Sequence, residues 1–514
     1  SSPSIDAACT FIIVSSTFVE LGLSEAKEVI VDATLFKYLL VGSYAILVYW
    51  LSYIGMRKTT SAASFAIGNK DMSPVLIGIT LAASISSTAT FVINPGFVYV
   101  HGVSAYVHFG VAGALGIMCA LFVLTRGFLR VGESQGSVTI PQWIFHRYQN
   151  QSLGFFFAVI NLLSITFVVL ILVGCSLLVA GLFPIEQKTA LVLIVLFVFS
   201  YVLMGGTYAH AYTNSLQGLM MLLVALGVFV HGLHYLGDDP LNRLRMLGPD
   251  YASIFNPSSS LYFGFFSVFV SGFVVTFALM LQPHILTKVL YLRSAKDANA
   301  FIATTIIAGS LFMLMLMVGF YARLAGYDID AQDTVVREYL LREFMGTPAG
   351  ELILAFIFVA LLAAGMSTLD GILVSLSAMV VTDILKPLGL AEDRGLTVSR
   401  YVLVGVGLVG LGLAWNPPQL VGLFAQKGVY GLAAASLVPI LFGVILRGSI
   451  PSSVVAPAAV IGLSTHLICN LGFGIENPAV SATYGIFAAL SWGVFALLIS
   501  RAMQKRAISL RDAP

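Results

Sequence analysis

The 514 residues of this chain predict an all-α polytopic membrane protein, and three observations carry that prediction. Apolar residues make up 58% of the chain and charged ones only 10%, against about 45–50% and about 25% in soluble chains. Mean hydropathy is +0.96. Windows of about 20 apolar residues, each long enough to cross a bilayer, recur along the whole length. Thirty-six Phe supply lipid-facing bulk, and 48 Gly let helices approach closely.

Taken in order, the apolar windows give thirteen expected spans: 37–56, 74–95, 104–124, 155–183, 190–205, 208–233, 262–282, 301–321, 351–382, 401–415, 419–446, 452–473 and 478–500. Residues 1–36 precede them, beginning at Ser1 rather than Met, and 501–514 form a polar tail. The sharpest expected turn is Gly205-Gly206-Thr207. Two outer loops are long enough for surface structure, and the second, 326–350, contains the amphipathic stretch 335–341, which predicts a short interfacial helix.

Lys and Arg favour cytoplasmic loops. With the N-terminus outside and the C-terminus inside, the cytoplasmic gaps collect seventeen of the 26 basic residues, Lys288 among them. The outer gaps hold six, and Lys37, Arg323 and Lys427 fall within or beside spans. The net charge of +2 gives no reason to expect a nucleic-acid partner. Four cysteines, Cys9, Cys119, Cys175 and Cys469, sit in unrelated segments without a CxxC pair, so neither a disulfide framework nor a metal-thiolate site is expected.

Transporters often contain an inverted repeat whose halves each begin with a broken helix. The blocks 74–233 and 262–446 are candidate halves, with 37–56 leading and 452–500 trailing. Both leading helices are interrupted: the first by Ser84-Ile85-Ser86-Ser87-Thr88-Ala89-Thr90, expected to break near Ile85, and the second by Ser271-Gly272 and Thr276. Hydroxyls in membrane helices often bond only to the preceding turn, but five within seven residues also suit a segment where the backbone unwinds.

The chain is organised around 363–371, Ala-Ala-Gly-Met-Ser-Thr-Leu-Asp-Gly, inside the span 351–382. On a helix Ala364, Ser367 and Thr368 share one face and present a carbonyl and two hydroxyls, neutral oxygens that suit a small hard cation. Asp370 follows one turn on, where a mid-membrane carboxylate costs about 2.5–3.5 kcal/mol. No nucleophile–base pair, HExxH spacing or phosphate loop is present, so no enzyme is expected.

Five elements occur in one order: 81–99, Thr139-Ile140-Pro141-Gln142-Trp143, Gln282-Pro283-His284, Ala322-Arg323 and 363–370. Over roughly 37–446 they resemble the sodium/solute symporter family, although many members carry Arg where Lys288 stands. The resemblance implies a LeuT-like five-plus-five inverted repeat and sodium-coupled uptake by alternating access. It maps a sodium site onto the carbonyls of Ala82, Ile85 and Ala364 and the hydroxyls of Ser367 and Thr368. Several members hold a second sodium with an Asp in a YTD-like pattern, where this chain reads Tyr212-Thr213-Asn214, which argues for one coupled sodium. Asp370 and Asn214 remain the residues for a second cation if one binds.

For the solute, the resemblance and the hydroxyl pattern point to Ser86, Ser87, Thr88, Thr90, Phe277 as an aromatic gate, and Gln426. Lys427 reads two ways: its stem snorkels to the interface, or its ammonium turns inward as partner to an anion or as a tethered cation. His108, His210 and His284 are expected to be structural, with His284 capping a cytoplasmic helix end. The stretch 81–99 is most similar to the monocarboxylate and vitamin branch, so the expected solute is a small organic acid anion, with an amino acid or sugar as the alternative. A sensor module is the rival class, though the tail to Pro514 offers no output domain; a channel is disfavoured by the lack of a filter-like loop. The expected location is a bacterial inner membrane.

Overall fold

The computed structural model describes residues 33–511, so the expectations for the leading segment fall almost wholly outside the described residues. All regular structure among the described residues is helical. Helix α1 is Ala33–Met56. A first bent pair follows: α2, Pro74–Ile85, and α3, Asn94–His101, with a wide turn at Ala89–Ile93 between them. Then come α4 (Gly113–Gln135), α5 (Ile165–Leu182) and α6 (Gln187–Gly232). Helix α7, Ser271–Leu279, forms a second bent pair with the segment from Pro283 to Tyr291. The remaining long helices are α8 (Ala298–Phe312), α9 (Pro348–Met379), α10 (Gly395–Ala414), α11 (Val421–Ile445), α12 (Ser452–Leu467) and α13 (Pro478–Arg511), with shorter helical segments between them.

Among the described residues ten helices are long and apolar enough to cross a membrane, or twelve when each bent pair counts as one span. Thirteen were expected, and the difference sits at Gly206. The expected spans 190–205 and 208–233 form the single 46-residue α6, in which Gly206 alone is non-helical (φ 51°, ψ −129°). Straight, it would measure about 69 Å, more than twice the hydrocarbon thickness. Its contacts with α1 show that it folds back: Ser200 meets Tyr49, Ala209 lies against Gly55, and Gln217 reaches Tyr44. The corner needs glycine, because the Phe65 ring fills the space a Cβ would take.

The two breaks have different causes. Helix α2 starts cleanly, with Ser73 capping the Leu76 N–H and Pro74 in its first turn. It stops at Ile85 because Ser86 leaves helical geometry (φ −89°, ψ 65°) and the Ser87 hydroxyl takes the Ala89 N–H in a local turn. The chain bends by 50° there. The second bend, 63°, lies between Leu279 and Pro283, not at Ser271-Gly272 or Thr276 as expected. Ser271 and Thr276 stay helical, Ser271 bonding back to the Ser267 carbonyl. Pro283 lacks an N–H and pushes Gln282 into extended geometry (ψ 145°), so the helix cannot continue through it.

Burial separates the centre from the rim. Helix α9, capped by Thr347, and helix α11 are the most enclosed, with 78% and 89% of their most apolar windows buried, against 22% for α1. Apolar side chains that face outward, such as Ile46, Phe122, Leu219 and Phe495, form a surface suited to lipid. In the loop 326–350 Val335–Phe344 is helical, its Val335, Val336, Tyr339 and Leu340 turned inward.

Candidate ion and solute site

Helix α9 crosses the end of α2 where α2 stops. The Thr368 hydroxyl donates to the Ser84 carbonyl at 3.0 Å, and Ser367 donates to the carbonyls of Ala83 at 3.1 Å and Ala364 at 2.8 Å. Ala82 accepts from the Ser86 N–H at 3.0 Å, and Ile85 is the last helical residue. Ala82, Ala364, Ser367 and Thr368 are buried at this seam and the half-buried Ile85 ends α2 beside it, although the two hydroxyls bond to the carbonyls of Ala83, Ala364 and Ser84 rather than to those of Ala82 and Ile85. The donor set is carbonyls and hydroxyls, which suits a hard monovalent cation. An acceptor without a partner lies beside it: Asn214 Oδ1 is buried and unbonded, while its Nδ2 donates to Ser84 Oγ at 3.1 Å and to the Ser367 carbonyl at 2.9 Å.

The seam is backed by a chain of charges. The Asp370 carboxylate accepts from His210 Nδ1 at 2.7 Å and from the Tyr201 hydroxyl at 3.3 Å. His210 Nε2 lies 2.7 Å from the Lys288 ammonium, which also donates to Ser84 Oγ at 2.9 Å and to the His284 carbonyl at 3.1 Å. An ammonium only donates, so Nε2 accepts and the ring proton is on Nδ1, directed at Asp370. Asp370 and Lys288 are fully buried and His210 nearly so. Asp370 is therefore engaged by His210 and Tyr201. Lys288, expected in a cytoplasmic gap, is inside the bundle because the bend at Pro283 carries the following turn inward.

A cavity opens between the two breaks. It holds about 910 Å³ of non-atom space, open solvent at its mouth included. From the first bent pair it is lined by Ser84, Ile85, Thr90 and Asn94, from the second by Thr276, Gln282 and His284, and from α11 by Gln426 and Tyr430. Phe109, Phe167, Met280 and Met313 supply apolar walls. Among the described residues no Lys, Arg, Asp or Glu lines it. Gln282 Oε1 and both ring nitrogens of His284 are buried without partners, so they are free to bond a guest. His284 does not cap a cytoplasmic helix end.

Of the expected solute residues, Thr90 and Gln426 line this cavity. Ser86 lines a smaller adjoining space, its hydroxyl unpaired. Ser87 is engaged by Ala89, and Thr88 faces the Cys175 thiol between α5 and α9. Phe277 and Lys427 do not line the cavity, and the Lys427 residue is exposed while its carbonyl accepts from His466. One residue past Gln426 is a rotation of about 100° on a helix, which turns Lys427 away. Gln142 and Thr139 cap their own helix, the Thr139 hydroxyl also reaching Asp383. Sequence reasoning missed Gln282, His284, Asn94 and Lys288. The signal available was Pro283, which fixes the break and thereby places both its neighbours and Lys288.

The sodium:solute symporter family pattern matches residues 65–448, well over half of the chain. The chain belongs to the sodium:solute symporter family. It is a sodium-coupled carrier of a small organic solute and not an enzyme. Among curated relatives, the sodium/pantothenate symporter of Haemophilus influenzae is 23% identical over 89% of this chain and 93% of its own length. The high-affinity proline transporter of Bacillus subtilis is 26% identical over 71% and 78%. Among solved structures, a sodium-coupled sialic acid symporter in a substrate-bound outward-open state superposes with a TM-score of 0.71 at 16% identity, covering 90% of this chain and 97% of that one. A structure titled as MhsT with L-phenylalanine gives a TM-score of 0.52 at 12% identity, covering 81% and 98%. These two establish the fold, an all-helical LeuT-like bundle.

Proposed function

We propose that this symporter imports a small organic acid with one sodium ion, the sodium held where α9 meets the end of α2 by Ser367, Thr368 and the carbonyls of Ala82, Ile85 and Ala364. The observation that carries this reading is a largely apolar cavity with a few unpaired polar groups, its described lining free of charged side chains, set beside the carbonyls and hydroxyls of the seam. An anion entering such a cavity needs positive charge nearby, because an unpaired charge in a low-dielectric interior is costly. Co-transported sodium at the seam would add to the Lys288 ammonium behind Ser84, while Gln282, His284, Asn94, Thr90 and Gln426 supply neutral hydrogen bonds. Coupling then follows from electrostatics: neither ion enters well without the other. Pantothenate, proline and sialic acid, named for the relatives, all carry a carboxylate, which agrees with this chemistry. Proline also makes an amino acid the second reading, since a zwitterion presents the same carboxylate.

The proposed cycle starts with sodium bound from outside, which ties α9 to α2 and favours the outward-open arrangement. The solute then fills the cavity, and closure exposes both to the cytoplasm. The excess of basic residues supports an inner membrane with the C-terminus inside.

The test is uptake into proteoliposomes of labelled pyruvate, pantothenate, proline and glucose, with and without a sodium gradient. Ser367→Ala and Thr368→Ala are expected to raise the sodium concentration for half-maximal uptake at least tenfold. Unchanged sodium dependence in both variants refutes the site, and uptake of glucose alone refutes the acid.

A further inference from the structure

Ser84 joins the proposed sodium seam to the Lys288 ammonium. Its carbonyl takes the Thr368 hydroxyl at the sodium seam, and its hydroxyl takes the Lys288 ammonium at 2.9 Å. Asn214, which spans Ser84 and Ser367, leaves its Oδ1 buried and unbonded beside the same group. The nearest carboxylate, Asp370, reaches the ammonium only through the His210 ring. Lys288 is fully buried, so water does not screen its charge from the seam.

We propose that the Lys288 ammonium is a tethered cation that opposes sodium across Ser84, with Asp370 offsetting it through His210, so that this pair sets how tightly sodium is held. A carrier must release its ion inside as well as capture it outside, and a fixed positive charge one residue from the seam weakens capture enough to permit release. Lys288 is a positioning residue of the ion site: it touches neither the solute cavity nor the proposed sodium ligands. The assignment rests on the sodium site proposed above.

Two charge-removing variants must therefore move sodium affinity in opposite directions, which loss of packing does not do. The experiment is equilibrium binding of labelled sodium to the purified full chain, with no solute present. Lys288→Gln is expected to lower the dissociation constant for sodium at least tenfold. Asp370→Asn, which leaves the ammonium uncompensated, is expected to raise it at least tenfold. Lys288→Arg keeps the charge and is expected to stay within threefold. Should Lys288→Gln not fold, Lys288→Met removes the same charge with a stem of similar length and is expected to tighten sodium by the same factor. Shifts in the same direction, or no tightening in Lys288→Gln or Lys288→Met, overturn the proposal. If the wild-type chain binds no sodium, or Ser367→Ala and Thr368→Ala bind it normally, the sodium site itself is wrong; if those two weaken binding while Lys288→Gln does not tighten it, this inference alone fails.

Discussion

Replacing Asp370 by Asn keeps the side-chain shape and an acceptor oxygen for His210, and the Tyr201 hydroxyl can turn to accept from the new NH2, so its effect on stability is dominated by one buried charge. The hydrogen bond that His210 donates to Asp370 and the one that Lys288 donates to His210 are each 2.7 Å. Adding roughly 2 Å across the ring puts carboxylate and ammonium at most about 7 Å apart, an attraction of about 2 kcal/mol at an effective dielectric of about 20. The ammonium left behind is fully buried with only His210 Nε2, Ser84 Oγ and the His284 carbonyl around it. Breaking a buried pair by removing one partner costs about 3–5 kcal/mol, so Asp370→Asn is expected to lose about 2–4 kcal/mol of folding stability. Removing both charges, as in Lys288→Met with Asp370→Asn, takes away the uncompensated ion and is expected to recover at least half of that loss. Reversible unfolding of the purified chain by SDS in mixed micelles measures all four corners of this cycle. A coupling below about 0.5 kcal/mol would show that the two groups are energetically independent and refute the relay.

Three further outcomes follow from the structure. A methyl group at Gly365 would overlap Cys175 Sγ and Thr88 Oγ1, so Gly365→Ala is expected to destabilise the bundle by about 1–3 kcal/mol in the same SDS assay; unchanged stability would mean that α5, α9 and the first break are not in tight contact. Gln426→Ala and His284→Ala, which alter the cavity wall, are expected to raise the solute KM about tenfold while sodium binding without solute changes less than twofold, and the reverse pattern would move the solute elsewhere. Burial pushes the Asp333 carboxyl in the loop before α9 up to about 6, although one of its oxygens caps the Val421 N–H at the start of α11. A carboxyl whose folded value lies above its unfolded value of about 4 stabilises below pH 4 and loses that contribution as pH rises through about 6. Asp333→Asn keeps the cap and is therefore expected to raise the melting temperature at pH 7.5, by at most about 3 kcal/mol in stability, and to leave it unchanged at pH 4.

Much of this architecture was legible because the signals are local. Hydroxyl density marks the first break, since side-chain oxygens that satisfy unwound backbone lie in the same few residues as the unwinding. The i, i+3, i+4 pattern of Ala364, Ser367 and Thr368 marks a polar face by helix geometry alone. The second break was misplaced because hydroxyls at Ser271 and Thr276 were weighed above Pro283; these hydroxyls are accommodated inside an intact helix, whereas a proline's missing N–H cannot be. Lys288 was illegible for a different reason. A basic residue near a span end reads as a loop residue by charge statistics, and its partners His210 and Asp370 lie far away in sequence on other helices. For Lys427 the sequence left two readings open, because one residue of helix rotation decides whether a side chain meets the cavity or the outside; the exposed residue agrees with the interfacial one.

Ser84 explains why the breaks and the charges belong to one device. Its backbone is tied to α9 through Thr368, and its hydroxyl is tied to α6 through Asn214 and to the second break through Lys288. Any movement of α2 relative to α9 that opens one side of the cavity must stretch the bond to Thr368, and any movement of the second break must stretch the bond from Lys288. If the proposed assignment holds, a sodium ion at the seam would strengthen the first tie and repel the ammonium of the second. Ion binding would then shift the balance between two mechanical links rather than rigidify the site as a whole, which is a route by which a small cation biases the side of the carrier that is open.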